Sequence, residues 1–313
     1  MKIKFLSITG IVVLLLSLLG CGSPKQPVSP GEGNISIVDD LNQTIVLAQP
    51  AKRIISLYSA HTENLIALGL GPEIIGVSTT ESDPVAQNKP VFDYRADPEK
   101  VLAAQPDIVI IRPFIKQSYP DFIKTLEQAN IKIVCLYPEK FEDFDSYIHK
   151  LAVLTGREQQ AADRLAAFHN KLTEIADRTA KAPVKKQVYF ESTATEYRTI
   201  TPASTPGTVL NLAGAINVAA DAQAIKTTGS IAAYGSERLL MKADEIDVFL
   251  AQRGPMNPGI TVDAIKQRPG FDKIKAVRQE QVYIVDEKLV SSPTFRLAEG
   301  VEQLAKLIYP EVF

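Results

Sequence analysis

Tryptophan is absent from this 313-residue sequence, and only two cysteines and three histidines are present. Two cysteines cannot build a disulfide framework. His61, His149 and His169 are too few and too unevenly spaced for a zinc site made mainly of imidazoles. Charge of one sign is lacking too: 34 Lys and Arg stand against 36 Asp and Glu, so no basic field advertises a nucleic-acid partner. No Gly-x-Ser-x-Gly elbow and no Gly-x-x-x-x-Gly-Lys phosphate loop occurs, which removes two common enzyme signatures. The glycines of Gly69-Leu70-Gly71 and Gly76 close a helix and enter a strand, the reverse of a dinucleotide fingerprint; they read as a helix C-cap.

What is present begins at the N-terminus. Lys2 and Lys4 precede an apolar run over 11–19 broken only by Ser17, and Leu18-Leu19-Gly20-Cys21 resembles the lipobox of bacterial lipoproteins. Residues 1–20 are expected to be a cleaved signal peptide, with lipid on Cys21. The alternative is a retained span, since 5–19 is almost long enough. The small Gly20 and the absence of a following basic cluster argue against it. Residues 21–34 are rich in Pro, Ser and Gly and read as a flexible tether. Such an anchor holds an extracytoplasmic body at a membrane without making it integral. Cys135, in the apolar run 131–136, reads as a small buried hydrophobe rather than a nucleophile.

About 280 residues remain, enough for two domains. Two β-type runs, 35–38 and 44–47, flank a turn whose Asn42 suits a positive φ, so a hairpin is predicted. Apolar runs at 53–58, 73–77, 107–111 and 131–136 then alternate with helical patterns near 62–68 and 121–128. That alternation predicts a mostly parallel sheet covered on both faces. From residue 155 the pattern changes. Thr155-Gly156-Arg157-Glu158 reads as a capping box, and Ala161, Leu165, Phe168, Leu172 and Ile175 form the stripe of a long amphipathic helix ending near 179. A second alternating block follows at 187–191, 246–251 and 281–285, and a last helix carries Leu297, Val301, Leu304 and Ile308 on one face. An internal echo links the halves: a helix pattern at 97–102 precedes the strand at Asp107, and another at 237–240 precedes the strand at Asp247. The expected architecture is α/β: two doubly wound lobes with parallel central sheets, 35–154 and 181–313, joined by one long rigid α-helix over 155–180.

Three segments carry a family resemblance. Ala51-Lys52-Arg53-Ile54-Ile55-Ser56-Leu57, then Thr62-Glu63-Asn64-Leu65 with Ala67-Leu68-Gly69-Leu70, then Pro98-Glu99-Lys100-Val101-Leu102-Ala103-Ala104-Gln105-Pro106-Asp107-Ile108-Val109 resemble the solute-binding proteins of iron-chelate, haem and cobalamin ABC importers. The resemblance runs from about residue 35 to the C-terminus and loosens after 220. It implies a ligand held between two lobes, a monomeric lipoprotein that works with a membrane permease, and no catalysis or cofactor beyond the metal chelate carried. It also implies one acidic residue on each lobe for docking to permease arginines. Glu99 matches the first, and Glu237 the second if two extra residues fall after it. Both also read as ordinary first-turn carboxylates favoured by the helix dipole.

Ligands of open α/β sheets sit outside the C-terminal strand ends. That rule nominates Tyr58, Ser59, His61, Arg112 and Tyr137 in the first lobe, with Tyr94 and Arg95 in the loop before Glu99. In the second it nominates Glu191, Ser192, Arg253, Asp286 and Ser291. Arginines suit oxyanions, and tyrosines suit flat organic chelates. An anionic, bulky ligand such as a ferric siderophore is therefore the first expectation. Haem and cobalamin are the alternatives; the missing tryptophan counts mildly against the latter. Three readings from other classes compete: a secreted α/β enzyme, a binder of bare zinc or manganese, and a surface adhesin.

Overall fold

A computed structural model describes residues 35–81, 83–96, 98–225 and 229–313. The expected signal peptide 1–20, Cys21 and the tether 21–34 lie outside the described residues. Among those described, no helix is long and apolar enough to cross a membrane.

The chain opens on the antiparallel hairpin of β1 (Ile35–Val38) and β2 (Thr44–Leu47), with Asn42 in its turn at φ 59°. The first lobe follows: β3 (Ile54–Ser56), α1 (Ser59–Ala67), β4 (Ile74–Ser78), β5 (Val91–Phe92), α2 (Pro98–Ala104), β6 (Ile108–Ile111), α3 (Pro113–Ser118), α4 (Pro120–Gln128) and β7 (Lys132–Cys135). Its five strands are all parallel, in the order β5-β4-β3-β6-β7. Helices cover both faces, so β6 is buried at every residue, which is why it reads as an unbroken apolar run rather than an alternation. Gly69, at φ 81°, closes the end of α1 as the sequence predicts.

Helix α5 (Phe144–Thr155) leads into the rod, α6 (Glu158–Thr179). Here the structure corrects the sequence reading. Thr155 is no N-cap; it is the last residue of α5, and its hydroxyl donates back to the carbonyl of Leu151 at 2.7 Å. Gly156 then takes the left-handed conformation (φ 65°) that ends α5, and Arg157 occupies the N-cap of the rod. The rest of the stripe behaves as read: Ala161, Phe168, Leu172 and Ile175 are buried, each large one contributing about 1.5–3 kcal/mol of burial.

The second lobe contains β8 (Gln187–Glu191), β9 (Thr199–Ile200), α7 (Thr205–Leu212), β10 (Ile216–Asn217), β11 (Gln223–Ala224), β12 (Ile231–Ala233), α8 (Ser236–Met241), β13 (Val248–Arg253), α9 (Val262–Lys266), α10 (Lys275–Arg278), β14 (Val282–Asp286) and α11 (Glu287–Val290), and ends on α12 (Leu297–Ile308). Its main sheet is parallel, ordered β10-β8-β13-β14, with a small antiparallel sheet β11-β12-β9 beside it. The internal echo is physical. Asp107 accepts from the backbone N–H groups of Lys52 and Arg53, at 2.7 and 2.9 Å, and Asp247 accepts from that of Gln187 at 2.8 Å. Each aspartate thus ties the strand after the crossover helix to the start of its lobe's central strand.

One apolar core runs without a break from the inner face of the first sheet (Ile108, Ile110) through the rod (Phe168, Leu172) to the second sheet (Phe190, Leu250) and α12. Separate cores fill the outer face of each lobe. Phe144 on α5 lies 5.2 Å from Phe168 on the rod and 5.3 Å from Phe295 before α12, ring centroid to ring centroid. The lobes therefore share close-packed interior, which resists relative motion more than a pair of bare linkers would.

Candidate functional site

Strand order reverses between β3 and β6 in the first lobe and between β8 and β13 in the second. Such switch points open a crevice at the C-terminal strand ends. Tyr58 and Arg112 emerge from the first one. The Arg112 guanidinium lies 4.8 Å from the Tyr58 ring centroid and 5.1 Å from that of Phe114, and Tyr58 lies 6.1 Å from Tyr137. Burial pushes both tyrosines up, and each phenol's proximity to the other or to Glu139 pushes the same way. They are neutral hydroxyls at ordinary pH, able to donate as well as accept.

A cavity of about 800 Å³ lies between this wall and the second lobe. Its first-lobe side carries Arg112, Phe114, Gln117, Tyr137, Glu139 and Lys140; its second-lobe side carries Thr201, Ser204, Thr205, Ser230 and Ser291. One wall is aromatic and cationic, the other a row of hydroxyls. The N-terminus of α7 opens onto the cavity, with Ser204 capping it by accepting from the Gly207 N–H at 3.3 Å. Ser291 is braced from behind, its hydroxyl donating to Gln252, whose amide in turn donates to the Ser192 carbonyl.

Of the nominated residues, Arg112, Tyr137 and Ser291 line the cavity, and Tyr58 stacks beside Arg112. The others are placed elsewhere, and for identifiable reasons. His61 is fully buried with both ring nitrogens engaged, so it offers nothing to a ligand. Tyr94 is 6% exposed and packs on Tyr119 at 5.0 Å, while Arg95 lies 5.4 Å from the Tyr94 ring, away from the cavity lining. Arg253 is exposed and donates to the Ile260 carbonyl at 3.2 Å, tying down its own loop. Glu191 is buried in an ion pair with Arg268. Ser192 bonds to the carbonyls of Arg198 and Thr199, and Asp286 caps α11. Ser59 is the first residue of α1, partly buried. Residues 201–206 carry no signal in the sequence, because they follow a two-residue strand, too short to leave a periodic pattern.

A second cavity, of about 600 Å³, lies against the rod and includes Glu63, Arg164, Lys171 and Arg296 in its lining. It meets a strand end only at Asp286, the last residue of β14, and ion pairs of Glu63 with Arg296 (2.7 Å) and Lys171 with Glu302 (3.1 Å) engage part of its charge. The larger crevice is the better ligand site. Among the described residues, no group of three or more His, Cys, Asp or Glu side chains could hold a metal ion. Cys135 is buried, and burial pushes its thiol up to about 12. Glu99 and Glu237 lie exposed in the first turns of α2 and α8.

Comparison with known proteins agrees with this architecture. The periplasmic binding protein family matches residues 54–289, and the chain belongs to that family. An uncharacterised ABC transporter substrate-binding lipoprotein of Bacillus subtilis, YvrC, is 28% identical, covering 97% of this chain and 96% of its own. A vitamin B12-binding protein of Vibrio cholerae is 23% identical over 82% of this chain and 88% of its own. Among solved structures, a possible iron-binding (periplasmic solute-binding) protein of Staphylococcus epidermidis superposes with a TM-score of 0.73 at 26% identity, covering 83% of this chain and 100% of the other.

Proposed function

We propose that this protein is the capture arm of an ABC importer: it binds a metal chelate between its lobes and delivers it to a permease in the membrane that holds its lipid anchor. The observation that carries the reading is Arg112, presented between the rings of Tyr58 and Phe114 at a strand-order switch point facing the larger cavity. A guanidinium so held binds the oxyanion edge of a chelate while the rings take its flat face. The cavity walls carry two cations, Arg112 and Lys140, against one carboxylate, Glu139. That balance suits a ligand that is neutral or of low net negative charge. A ferric siderophore of the hydroxamate type fits it better than a triply charged one, whose buried charge would go uncompensated.

A corrinoid is the second reading, favoured by the resemblance to the vitamin B12-binding protein of Vibrio cholerae. On either reading the protein binds without turnover. It is extracytoplasmic and monomeric, anchored through Cys21, and a tether of about a dozen residues gives it a reach of roughly 20 Å. Glu99 and Glu237 supply the docking carboxylates. Beside Glu237 the neighbouring cations are engaged elsewhere, Arg238 with Asp221 at 2.7 Å and Lys242 with the Val218 carbonyl at 2.9 Å.

Native mass spectrometry of the mature protein with ferric hydroxamates, ferric catecholates, haem and corrinoids tests the ligand. A one-to-one complex with a ferric hydroxamate is expected. Retention of corrinoids alone would move the assignment to the second reading, and retention of none would sink the chelate-carrier reading.

A further inference from the structure

Behind the cleft, three buried side chains form a hydrogen-bond chain that runs from one lobe to the other. Its directions follow from elementary chemistry. The Ile111 carbonyl can only accept, so His61 Nε2, 3.3 Å away, carries the proton. Neutral imidazole then leaves Nδ1 as an acceptor, and the Tyr147 hydroxyl donates to it at 2.7 Å. The Tyr147 oxygen in turn accepts from Asn64 Nδ2 at 3.2 Å. The second amide hydrogen of Asn64 donates to the Pro293 carbonyl at 2.8 Å, and its oxygen accepts from the Phe295 N–H at 3.3 Å. Asn64, His61 and Tyr147 are 1%, 0% and 3% exposed, so each bond is made away from water, where leaving one unmade is expensive.

The two ends of the chain matter. One is the segment of Pro293 and Phe295, which leads into α12 of the second lobe. The other is the carbonyl of Ile111, the residue before Arg112, and the His61 ring stands edge-on beneath Tyr58 with centroids 5.1 Å apart. The chain therefore connects the contact between the lobes to Arg112 of the first-lobe wall and to Tyr58, whose ring lies against it.

We propose that Asn64, Tyr147 and His61 are positioning residues that couple the lobe-to-lobe contact to the placement of Arg112 and Tyr58. The relevance to ligand rests on the chelate-carrier reading; the coupling itself does not. Ordering of Arg112 by a ligand reinforces the Asn64 contact, and loosening of that contact disorders the wall.

The test is hydrogen exchange on the mature protein, with Asn64→Ala cutting the chain at one end and Tyr147→Phe cutting its middle. Leu136 donates its N–H to the same Ile111 carbonyl, at 3.0 Å, and reports the cleft end; the Phe295 N–H reports the other. Asn64→Ala is expected to speed exchange at Leu136, and Tyr147→Phe at Phe295, by about tenfold relative to Leu250 in the second sheet. If each substitution moves only its immediate neighbours, the coupling is overturned. Should Asn64→Ala fail to fold, Tyr147→Phe, which removes one oxygen, carries the test alone. Ferrichrome, a neutral ferric hydroxamate, is the ligand probe, and about three- to tenfold weaker binding is expected for both variants. Wild-type protein that ignores ferrichrome and every other chelate would overturn the carrier reading, while the exchange rates would still decide the coupling.

Discussion

Glu191 and Arg268 form a two-point ion pair at the end of the central strand of the second lobe, one arm closing at 3.0 Å between Nη2 and Oε1. Glu191 is wholly buried, Asn257 approaches the same oxygen at 3.4 Å, and the rings of Tyr197 and Phe271 lie 5.5 and 5.3 Å from the guanidinium carbon. The position follows the strand-end rule that nominated Glu191 for ligand, yet the carboxylate is spent on a structural partner.

Arg268→Met leaves a buried carboxylate without its cation, and a loss of about 3–5 kcal/mol of stability is expected. The double variant with Glu191→Gln should recover much of that, because the stranded charge is gone. Urea unfolding of the two variants checks the order; a single variant as stable as the double would contradict it.

His61 makes folding pH-dependent. Burial, with the nearby Arg112 acting the same way and the Ile111 bond opposing, lowers its pKa from 6.5 to about 3. Between those values the unfolded chain binds a proton that the folded one refuses, so stability rises with pH through this window and falls as pH drops from 6.5 toward 3. The full swing from this one group is on the order of 5 kcal/mol. In His61→Gln the amide can keep both hydrogen bonds without titrating. Urea midpoints measured from pH 7 to 4 should fall less in that variant than in the wild type.

Sequence periodicity located the two lobes because buried parallel strands are continuous apolar runs and the rod carries a stripe at helical spacing. It failed at Thr155 for a local reason: a Thr-Gly pair reads equally as an N-cap or as a helix end, and only Pro50 packing against Gly156 and the return bond to Leu151 decide between them. The first-lobe wall was legible, since Arg112 follows its strand with no spacer. His61 differs from the strand-end expectation because α1 begins at Ser59, and its third residue turns inward rather than toward the crevice. The hydroxyl wall at 201–206 had no signature, being made by loop geometry alone.

Gly156 offers a check on that helix junction. Its φ of 65° disfavours any side chain, and an added Cβ would lie 3.0 Å from Pro50 Cγ. Gly156→Ala should cost about 1–2 kcal/mol. Thermal unfolding with and without the substitution measures it; an unchanged midpoint would mean that the α5–α6 junction tolerates another geometry.

Arg112 is where binding and stability should part company. It is half-buried, and among the described residues no ion pair of its own is seen; its surroundings are the faces of Tyr58 and Phe114. Removing it therefore leaves no stranded partner, and Arg112→Ala should change stability by less than about 1 kcal/mol. Its loss from the ligand wall is a different matter. A desolvated guanidinium with two acceptors on the chelate makes charge-assisted bonds worth about 1.5–3 kcal/mol, so affinity should fall on the order of 10- to 100-fold. Arg112→Lys separates charge from shape. A lysine ammonium retains the positive charge but neither lies flat between two rings nor offers the paired donors, so the substitution should recover only part of the loss. Calorimetric titration of the three proteins at low and high salt reads this directly. Affinity in Arg112→Lys equal to wild type would reduce the site to a simple positive field, whereas equal affinity in Arg112→Ala would place the ligand's charge on another wall of the crevice.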